Sequence, residues 1–260
     1  MVMRSWNGSC RRLVGKMLFR VPTVSSTNDL MKTMASRNVP EGTVVVAETQ
    51  TTGRGRLGRR WFSPKGGLWF SVLFRPKAEA GETAKLVFVA SLAVAEVLRE
   101  HCGLRAETKW PNDVLVNGKK ICGILAEMKT SGGKVDYAVV GVGVNVNFRV
   151  REVLPEPVWE TATSVEDELG KKVDNTNLLL ALIERLDKVY AVFVDEGSDA
   201  VLKRWKGYAG FLGHQIRVDV GSESLVGAAV DVTREGALAL KFADGSVREF
   251  HVGDVSVRVV

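Results

Sequence analysis

The sequence predicts an α+β protein, with a mixed β-sheet flanked by helices and a small C-terminal β-barrel. Strand-like apolar runs alternate with capped or apolar-rich helical segments over most of the chain, as expected for a sheet covered by helices. From Gly213 onward the pattern changes to short β-type runs broken by glycine-containing turns, the spacing of a small barrel. We therefore predict a larger domain over residues 1–210 and a barrel domain over residues 211–260.

Local patterns predict the individual elements of the larger domain. Apolar runs predict strands at residues 16–23, 43–49, 68–74, 137–147 and within a hairpin at 106–128, whose turn is Asn117-Gly118. Helices are predicted at residues 26–37, 82–101, just after Ser164, from Asp174 to about 194, and at 199–206. At the start of the first helix, Ser26 is the predicted N-cap and Asp29 takes the capping-box position.

The composition indicates a globular protein whose basic balance suits an anionic partner, without choosing between a nucleotide, an acidic protein and nucleic acid. Of the 260 residues 45% are hydrophobic and 25% are charged, and the formal net charge is +6. Cys10, Cys102 and Cys122 form no CxxC pair, so we predict no disulfide framework or zinc site and expect a cytoplasmic location. The most apolar stretch, Leu86–Leu98, is too short to span a bilayer. The three histidines lie in no HExxH or nucleophile-elbow motif, which argues against zinc hydrolysis and Ser-His-Asp catalysis.

The segment Gly53–Arg60 combines four arginines with three glycines directly after a predicted strand. Glycines let backbone amides turn inward, and guanidinium groups donate to phosphate or carboxylate oxygens, so we predict an anion-binding loop that is mobile until a ligand closes it. The segment also matches GxGxxG, but a dinucleotide fold needs a helix at the third glycine. Pro64 and Gly66-Gly67 disfavour such a helix, and we reject that interpretation. A solvated charged loop is the alternative.

The predicted hairpin carries a second group of candidate residues. A two-residue turn pairs Leu115 with Lys120 and Asp113 with Cys122, which places these four side chains on one face. Asp113 and Lys120 are then diagonal neighbours, about 7–8 Å apart at Cα. Because Lys120 precedes the apolar run 121–125, we expect a functional cation. Ordinary turn residues beside a solvated lysine pair remain the alternative.

Two further features point to a ligand near this hairpin. Pro111 disfavours a central strand, so we predict a strand entrance or bulge that directs Asn112 and Asp113. The predicted strand 139–147 has valines on one face and, on the other, Gly141, Gly143, Asn145 and Asn147. Strand glycines commonly mark the close approach of a ligand or another backbone, and two amides favour a polar ligand. Packing of a helix on a flat sheet face is the alternative.

Five motifs occur in order along the chain: SSTN at 25–28, Q-x-x-GRGRxGRxW at 50–61, KWPND at 109–113, K-x-x-GIL at 120–125 and GxGxN at 141–145. As an ordered set they resemble the biotin protein ligases, over about residues 20–200 and extending to the C-terminal barrel. The resemblance implies a biotin/lipoate ligase-like catalytic fold over residues 1–210 with an SH3-like barrel over 211–260. Fewer than about 25 residues precede the first motif, too few for a winged helix-turn-helix. The chain therefore resembles the monofunctional class, without sequence-specific DNA binding.

The resemblance implies an ATP-dependent reaction in which biotin becomes biotinyl-5′-AMP and is then transferred to a lysine of a biotin carboxyl carrier domain. The implied biotin-binding residues are Ser26, Thr27, Asn28, Gln50, Arg54, Gly55, Arg56, Lys120 and Gly123. The implied ATP-binding residues are Arg54, Arg56, Trp61, Asn112, Asp113, Lys120 and Asn145. Lys120 and Arg56 are the implied catalytic residues, Asp113 the implied Mg²⁺ ligand, and a homodimer is compatible with the resemblance.

Two other functions compete with this interpretation. A lipoate or octanoyl ligase or transferase of the same fold would need a longer, purely apolar slot, whereas the Ser-Thr-Asn/Gln set suits a ureido ring. A basic nucleic-acid-binding protein would use its small barrel and should interleave aromatic with basic residues. After His214, the barrel region has only Phe242, Phe250 and His251 for that purpose.

Overall fold

A computed structural model describes residues 13–220, 223–251 and 255–259. One mixed sheet contains strands β1–β7, which span Leu18–Val24, Val44–Gln50, Leu68–Phe74, Ala106–Lys109, Asp113–Val116, Lys119–Ser131 and Lys134–Val144. A second, antiparallel sheet contains strands β8–β12, which span Gln215–Val220, Glu223–Val232, Leu238–Lys241, Val247–Phe250 and Val255–Val259. Helices α1–α8 span Thr27–Ser36, Ala80–Ala84, Leu86–Cys102, Val150–Val153, Val158–Thr161, Val165–Leu169, Asn175–Glu196 and Ser198–Lys206.

The strand order of the first sheet brings the predicted motifs together. The order is β1-β2-β3-β7-β6-β5-β4, with β1 and β2 parallel and the other neighbouring pairs antiparallel. Central strands β3, β7 and β6 carry Ser71, Gly141 and Leu125 at matching positions. The α+β prediction of a mixed sheet flanked by helices is therefore confirmed.

The two faces of the first sheet are covered by different parts of the chain. On one face Val140, Val142 and Val144 of β7 pack with α3, α7 and α8 in one large apolar core. On the other face α1 covers part of the sheet, since Met31 and Ala35 pack against Val45, Leu73 and Val139. The remainder of that second face lies next to the N-terminus of α1 and the arginine-glycine loop, which is where the predicted site residues lie.

The helix caps are partly as predicted. Ser164 and Asp174 cap α6 and α7, since their side chains accept hydrogen bonds from Asp167 N and from Thr176 N and Asn177 N. Ser26 is the N-cap of α1, but its side chain makes no capping hydrogen bond, so the predicted capping box is wrong. The single helix predicted at residues 82–101 is also wrong, because the chain breaks at Lys85 between α2 and α3.

The second sheet packs against the first near the predicted domain boundary. Phe211, Ile216 and Leu238 belong to the same apolar core as Trp110, which lies in the turn between β4 and β5 of the first sheet. Trp110 is 1% exposed, and its indole Nε1 donates to Gly236 O over 2.9 Å. Among the described residues the strand order is β11-β10-β9-β8-β12, so the outer strands are β11 and β12. The division between residues 210 and 211 stays a prediction. No helix in the described part of the chain is long and apolar enough to cross a membrane.

Candidate ligand-binding site

The N-terminus of α1 places three polar side chains in the protein interior. Ser26, Thr27 and Asn28 are all 4% exposed or less. Gln50, at the end of β2, accepts hydrogen bonds from Thr27 N at 2.8 Å and from Thr27 Oγ1 at 3.1 Å. Its amide donates to Ser63 Oγ over 2.8 Å. The structure therefore brings together the four residues whose uncharged polar groups were predicted to bind the ureido ring.

Two residues that the sequence reasoning missed complete this polar cluster. Ser71 is fully buried on β3, and its Oγ lies 2.8 Å from Thr27 Oγ1 and 2.6 Å from Asn28 Oδ1. Glu127 on β6 accepts a 2.7 Å hydrogen bond from Asn28 Nδ2. Ser71 had a visible signal, because it is the single polar residue in the apolar run 68–74. A buried hydroxyl needs a partner, and here it orients the neighbouring side chains.

The arginine-glycine loop is closed by its own backbone. Gly55 N donates to Arg59 O over 2.7 Å, and Trp61 N donates to Gly53 O over 2.9 Å. Leu57 and Gly58 turn the chain with φ of 58° and 68°. A three-residue 3-10 turn lies at Arg56–Gly58, and no helix follows in the described residues before β3, so rejecting the dinucleotide fold is confirmed. The mobility of this loop stays a prediction.

The arginines of the loop have different partners. Arg54 donates to Asp29 through both terminal nitrogens, at 2.7 and 2.6 Å. This hydrogen bonding lowers the pKa of the Asp29 carboxyl to about 2. Arg56 donates to Asn112 Oδ1 over 3.3 Å and so lies beside the entrance to β5. Arg59 and Arg60 are exposed, as a solvated loop would require.

The hairpin has a different register from the one predicted. Leu115 does pair with Lys120, but a bulge shifts Val114 to Cys122 and Asp113 to Gly123. The bulge lets both Ile121 and Cys122 enter the core, where each is 0% exposed. Placing Cys122 on the ligand face was therefore wrong, and burial raises the pKa of its thiol.

The shifted register brings the two charged residues of the hairpin into contact. Lys120 Nζ lies 2.5 Å from Asp113 Oδ1. Their side chains are 33% and 17% exposed, so the pair is partly screened from solvent. Gly123 lies in the register position opposite Asp113, and a Cβ on it would come within 3.3 Å of Lys120 Nζ. The predicted proximity of Asp113 and Lys120 is thus present, and a bulge produces it.

The glycine face of β7 is covered by side chains. A Cβ at Gly143 would lie less than 3.0 Å from Trp61 Nε1, and a Cβ at Gly141 less than 3.0 Å from Asn28 Oδ1. Lys120 Nζ lies 5.2 Å from the centre of the Trp61 ring, within cation–π range. The expected close approach is real, but here the groups that approach are the Trp61 and Asn28 side chains. Trp61 Nε1 is buried and has no hydrogen-bond partner among the described residues.

The predicted nucleotide-binding amides also hold backbone segments in place. Asn112 Nδ2 donates to Ile124 O over 2.6 Å, and Asn145 Nδ2 donates to Thr163 O over 2.9 Å. Asn147 Nδ2 likewise donates to Val173 O over 2.7 Å. The interpretation of Asn145 and Asn147 as two amides on a vacant face is therefore wrong. Contacts of Asn112 and Asn145 with a nucleotide stay predictions.

The described residues hold no group of three or more His, Cys, Asp or Glu side chains that could bind a metal ion. Asp113 is a carboxylate beside the cationic Lys120. One carboxylate fits Mg²⁺ that is carried mainly by nucleotide phosphates and water. The donor set does not fit a metal held by protein side chains alone.

A cleft of about 210 Å³ opens next to the polar cluster. Gln50, Trp61, Ser63 and Leu154 are among the residues that line it. Of the four residues predicted to bind the ureido ring, Gln50 alone lines this cleft.

Comparison with known proteins gives the family. Residues 21–145 match the Biotin/lipoate A/B protein ligase family, and residues 211–258 match the Biotin protein ligase C terminal domain. The chain is 32% identical to the bifunctional ligase/repressor BirA of Bacillus subtilis over 246 residues, which cover 94% of this chain and 75% of BirA. It is 36% identical to the biotin–[acetyl-CoA-carboxylase] ligase of Paracoccus denitrificans over 199 residues, 76% of this chain and 83% of that protein.

A solved structure agrees with this assignment. The biotin protein ligase from Aquifex aeolicus, in complex with biotin and ATP, matches with a TM-score of 0.81 and 32% identity. The match covers 94% of this chain and 99% of that one. The polar cluster at α1 and the arginine-glycine loop lie within residues 21–145, which match the family model. The chain belongs to the biotin protein ligase family.

Proposed function

We propose that this protein activates biotin with ATP to biotinyl-5′-AMP and transfers the biotinyl group to a lysine of a biotin carboxyl carrier domain. One observation carries the proposal: an uncharged, buried polar cluster at α1 lies close to a cation-rich region formed by the arginine-glycine loop and the hairpin. Biotin has the matching chemistry, with a neutral ureido ring at one end and a carboxylate at the other.

The neutral cluster binds the ureido ring. Ser26, Thr27, Asn28 and Gln50 offer hydroxyl and amide groups, whose donors and acceptors suit a neutral ligand. Ser71 and Glu127 fix the orientation of Asn28 through its Oδ1 and Nδ2 atoms. Because these groups are buried, an analogue lacking a ureido donor leaves one of them unpaired and binds more weakly.

The cations bring two anions together for the first step. Arg56 and Lys120 bind the biotin carboxylate and the phosphates, and Gly123 leaves room for Lys120, whereas Gly55 N already donates to Arg59 O. A carboxylate oxygen attacks the α-phosphorus and pyrophosphate leaves, so no protein nucleophile is needed. Lys120 stabilises the charge that builds on the α-phosphate oxygens in this step. Positioning and charge neutralisation account for the catalysis.

The nucleotide lies on the loop and hairpin side of the site. Trp61, Asn112, Asp113 and Asn145 contact ATP, with the Trp61 ring providing an apolar surface for the base. When bound, Mg²⁺ screens the repulsion between phosphates, and Asp113 is its candidate protein ligand. Arg54 was predicted to bind either substrate, but both of its terminal nitrogens donate to Asp29.

The second step needs an acceptor protein. The neutral amine of the carrier lysine attacks the biotinyl carbonyl, and AMP leaves as the amide forms. The same proposal includes catalysis by residues 1–210, a distinct domain at 211–260, a cytoplasmic location and assembly into a homodimer. Sedimentation of the purified chain with and without biotin and ATP tests the assembly.

A two-stage assay tests the function. Purified protein, MgATP and labelled biotin should give labelled adenylate and pyrophosphate, and adding a carrier domain should move the label to protein with release of AMP. Lipoate and octanoate, tested as substrates in place of biotin, address the competing function. Adenylate formed from octanoate but not from biotin would contradict the proposal.

A further inference from the structure

Arg54 uses its forked donor face within the protein. Its two terminal nitrogens donate to the two carboxylate oxygens of Asp29, at 2.7 and 2.6 Å. A ligand carboxylate or phosphate would need this same bidentate face of the guanidinium. Arg54 is therefore already engaged in the manner expected of an arginine that binds a substrate anion.

Asp29 also connects the loop to the polar cluster. Lys32 Nζ lies 3.1 Å from Asp29 Oδ1 and 2.7 Å from Glu127 Oε1. Glu127 in turn accepts the hydrogen bond of Asn28. Charges of alternating sign thus run from Arg54 through Asp29 and Lys32 to Glu127, so each one is compensated by its neighbours.

Arg56 lies on the opposite side of the loop, toward the hairpin. Its guanidinium donates to Asn112 Oδ1 at 3.3 Å, and Asn112 directly precedes Asp113, the partner of Lys120. The two arginines, separated by Gly55, therefore face different parts of the protein. Arg54 contacts α1, whereas Arg56 contacts Asn112 just before β5.

We propose that Asp29 is a positioning residue that holds Arg54, and with it the arginine-glycine loop, against α1. Arg54 acts through the position of the loop, and Arg56 contacts the substrate anion. This inference rests on the proposed function, because the loop is taken as the anion-binding segment. A loop released from α1 binds biotin more weakly, while the chemical step after binding stays nearly the same.

A double-mutant cycle tests the proposal. In Asp29→Asn, Arg54→Gln and the double variant we expect the KM for biotin to rise by a similar 3- to 5-fold, about the effect of losing one partly exposed ion pair. The kcat for adenylate formation should change less than about 2-fold, since the part of the site around Lys120 is intact. If the KM for biotin of Arg54→Gln is at least about 10-fold higher than that of Asp29→Asn, Arg54 contacts the ligand and the proposal is overturned.

Proteolysis without ligand provides a second readout. Trypsin should cleave after Arg56 and Arg59 about 3- to 5-fold faster in Asp29→Asn than in the wild type, because the loop is no longer held. Glu48→Gln is the matched control, since it removes from β2 an exposed carboxylate that lies 3.9 Å from Lys65 Nζ in the turn before β3. Equal cleavage rates in all three proteins would contradict the proposal. This measurement needs no catalysis, so it separates the inference from a failure of wild-type protein to form adenylate.

Discussion

Lys120 lies 2.5 Å from Asp113 on the face of the hairpin that also carries Gly123. We expect Lys120→Ala to lower adenylate formation about 100- to 1000-fold, because removing one preorganised charge-stabilising group typically has this effect. Lys120→Arg should restore little, since a planar fork does not replace a compact ammonium. The measurement is pyrophosphate release under single-turnover conditions.

The neighbouring lysine supplies the control for this experiment. Lys119 is exposed and pairs with Val116 at the turn, so Lys119→Ala removes the same charge from the same hairpin. The rate of pyrophosphate release by Lys119→Ala should stay close to that of the wild type. Near-normal pyrophosphate release by Lys120→Ala, in a protein with an unchanged circular dichroism spectrum, would remove Lys120 from the mechanism.

Asp29 should titrate at unusually low pH. Hydrogen bonding to Arg54 lowers its pKa from 3.8 to about 2, with a further contribution from Lys32. Because the folded pKa lies below the unfolded one, the stabilisation is fully present above about pH 4 and is lost as the pH falls through about 2. Carboxyl carbon NMR should give this midpoint in the wild type and a higher one in Arg54→Gln. Equal midpoints in the two proteins would contradict the assignment.

At the scale of elements, strand β7 depends on having no side chain at Gly143. A methyl group there would lie less than 3.0 Å from Trp61 Nε1, so the indole has to move. We expect Gly143→Ala to lower the free energy of unfolding by about 1–3 kcal/mol, the usual cost of overpacking, and to reduce adenylate formation. Urea denaturation and the two-stage assay measure these effects.

Gly81 provides a matched substitution. It lies in α2, and a Cβ placed on it would have no neighbour within 4 Å. Gly81→Ala should therefore leave activity unchanged and the free energy of unfolding equal or slightly higher, because alanine favours a helix. If both variants have the same stability and activity, the close approach of Trp61 to Gly143 does not contribute to function.

At the scale of the whole molecule, Trp110 joins the two sheets. Its side chain is 1% exposed, and its Nε1 donates to Gly236 O over 2.9 Å. We expect Trp110→Ala to lower the free energy of unfolding by about 3–5 kcal/mol, as for other buried aromatic truncations. Trp110→Phe should cost less because it keeps most of the apolar contact. Denaturant unfolding followed by far-ultraviolet circular dichroism measures both.

Trp159 gives the comparison for this junction. It lies half-buried on α5, where Arg151 stacks on its ring at 5.0 Å. Trp159→Ala should therefore lower the free energy of unfolding clearly less than Trp110→Ala does. If the Trp110→Ala protein were as stable as the wild type, the second sheet would not depend on this contact.

Sequence patterns alone predict most of the strands and helices, the fold class and the family resemblance. Asp174 and Ser164 cap helices because their side chains accept from amides only two or three residues away. Asn117 and Gly118 adopt positive φ in the two-residue turn, which these residue types favour. The polar residues at 26–28 and Gln50 could be assigned to one site through the motif order. In each case the information is local or lies in the order of residues along the chain.

The tertiary structure alone decided which partner each site residue takes. Asp29 could have capped its own helix, but Arg54, which is 25 residues away, offers two charge-assisted hydrogen bonds. The hairpin bulge follows from the burial of both Ile121 and Cys122 in a core built by distant helices. Trp61 covers Gly143 because two distant segments meet on the sheet. Local propensities do not rank such competing contacts, since their free energies depend on packing and burial that exist only once the chain has folded.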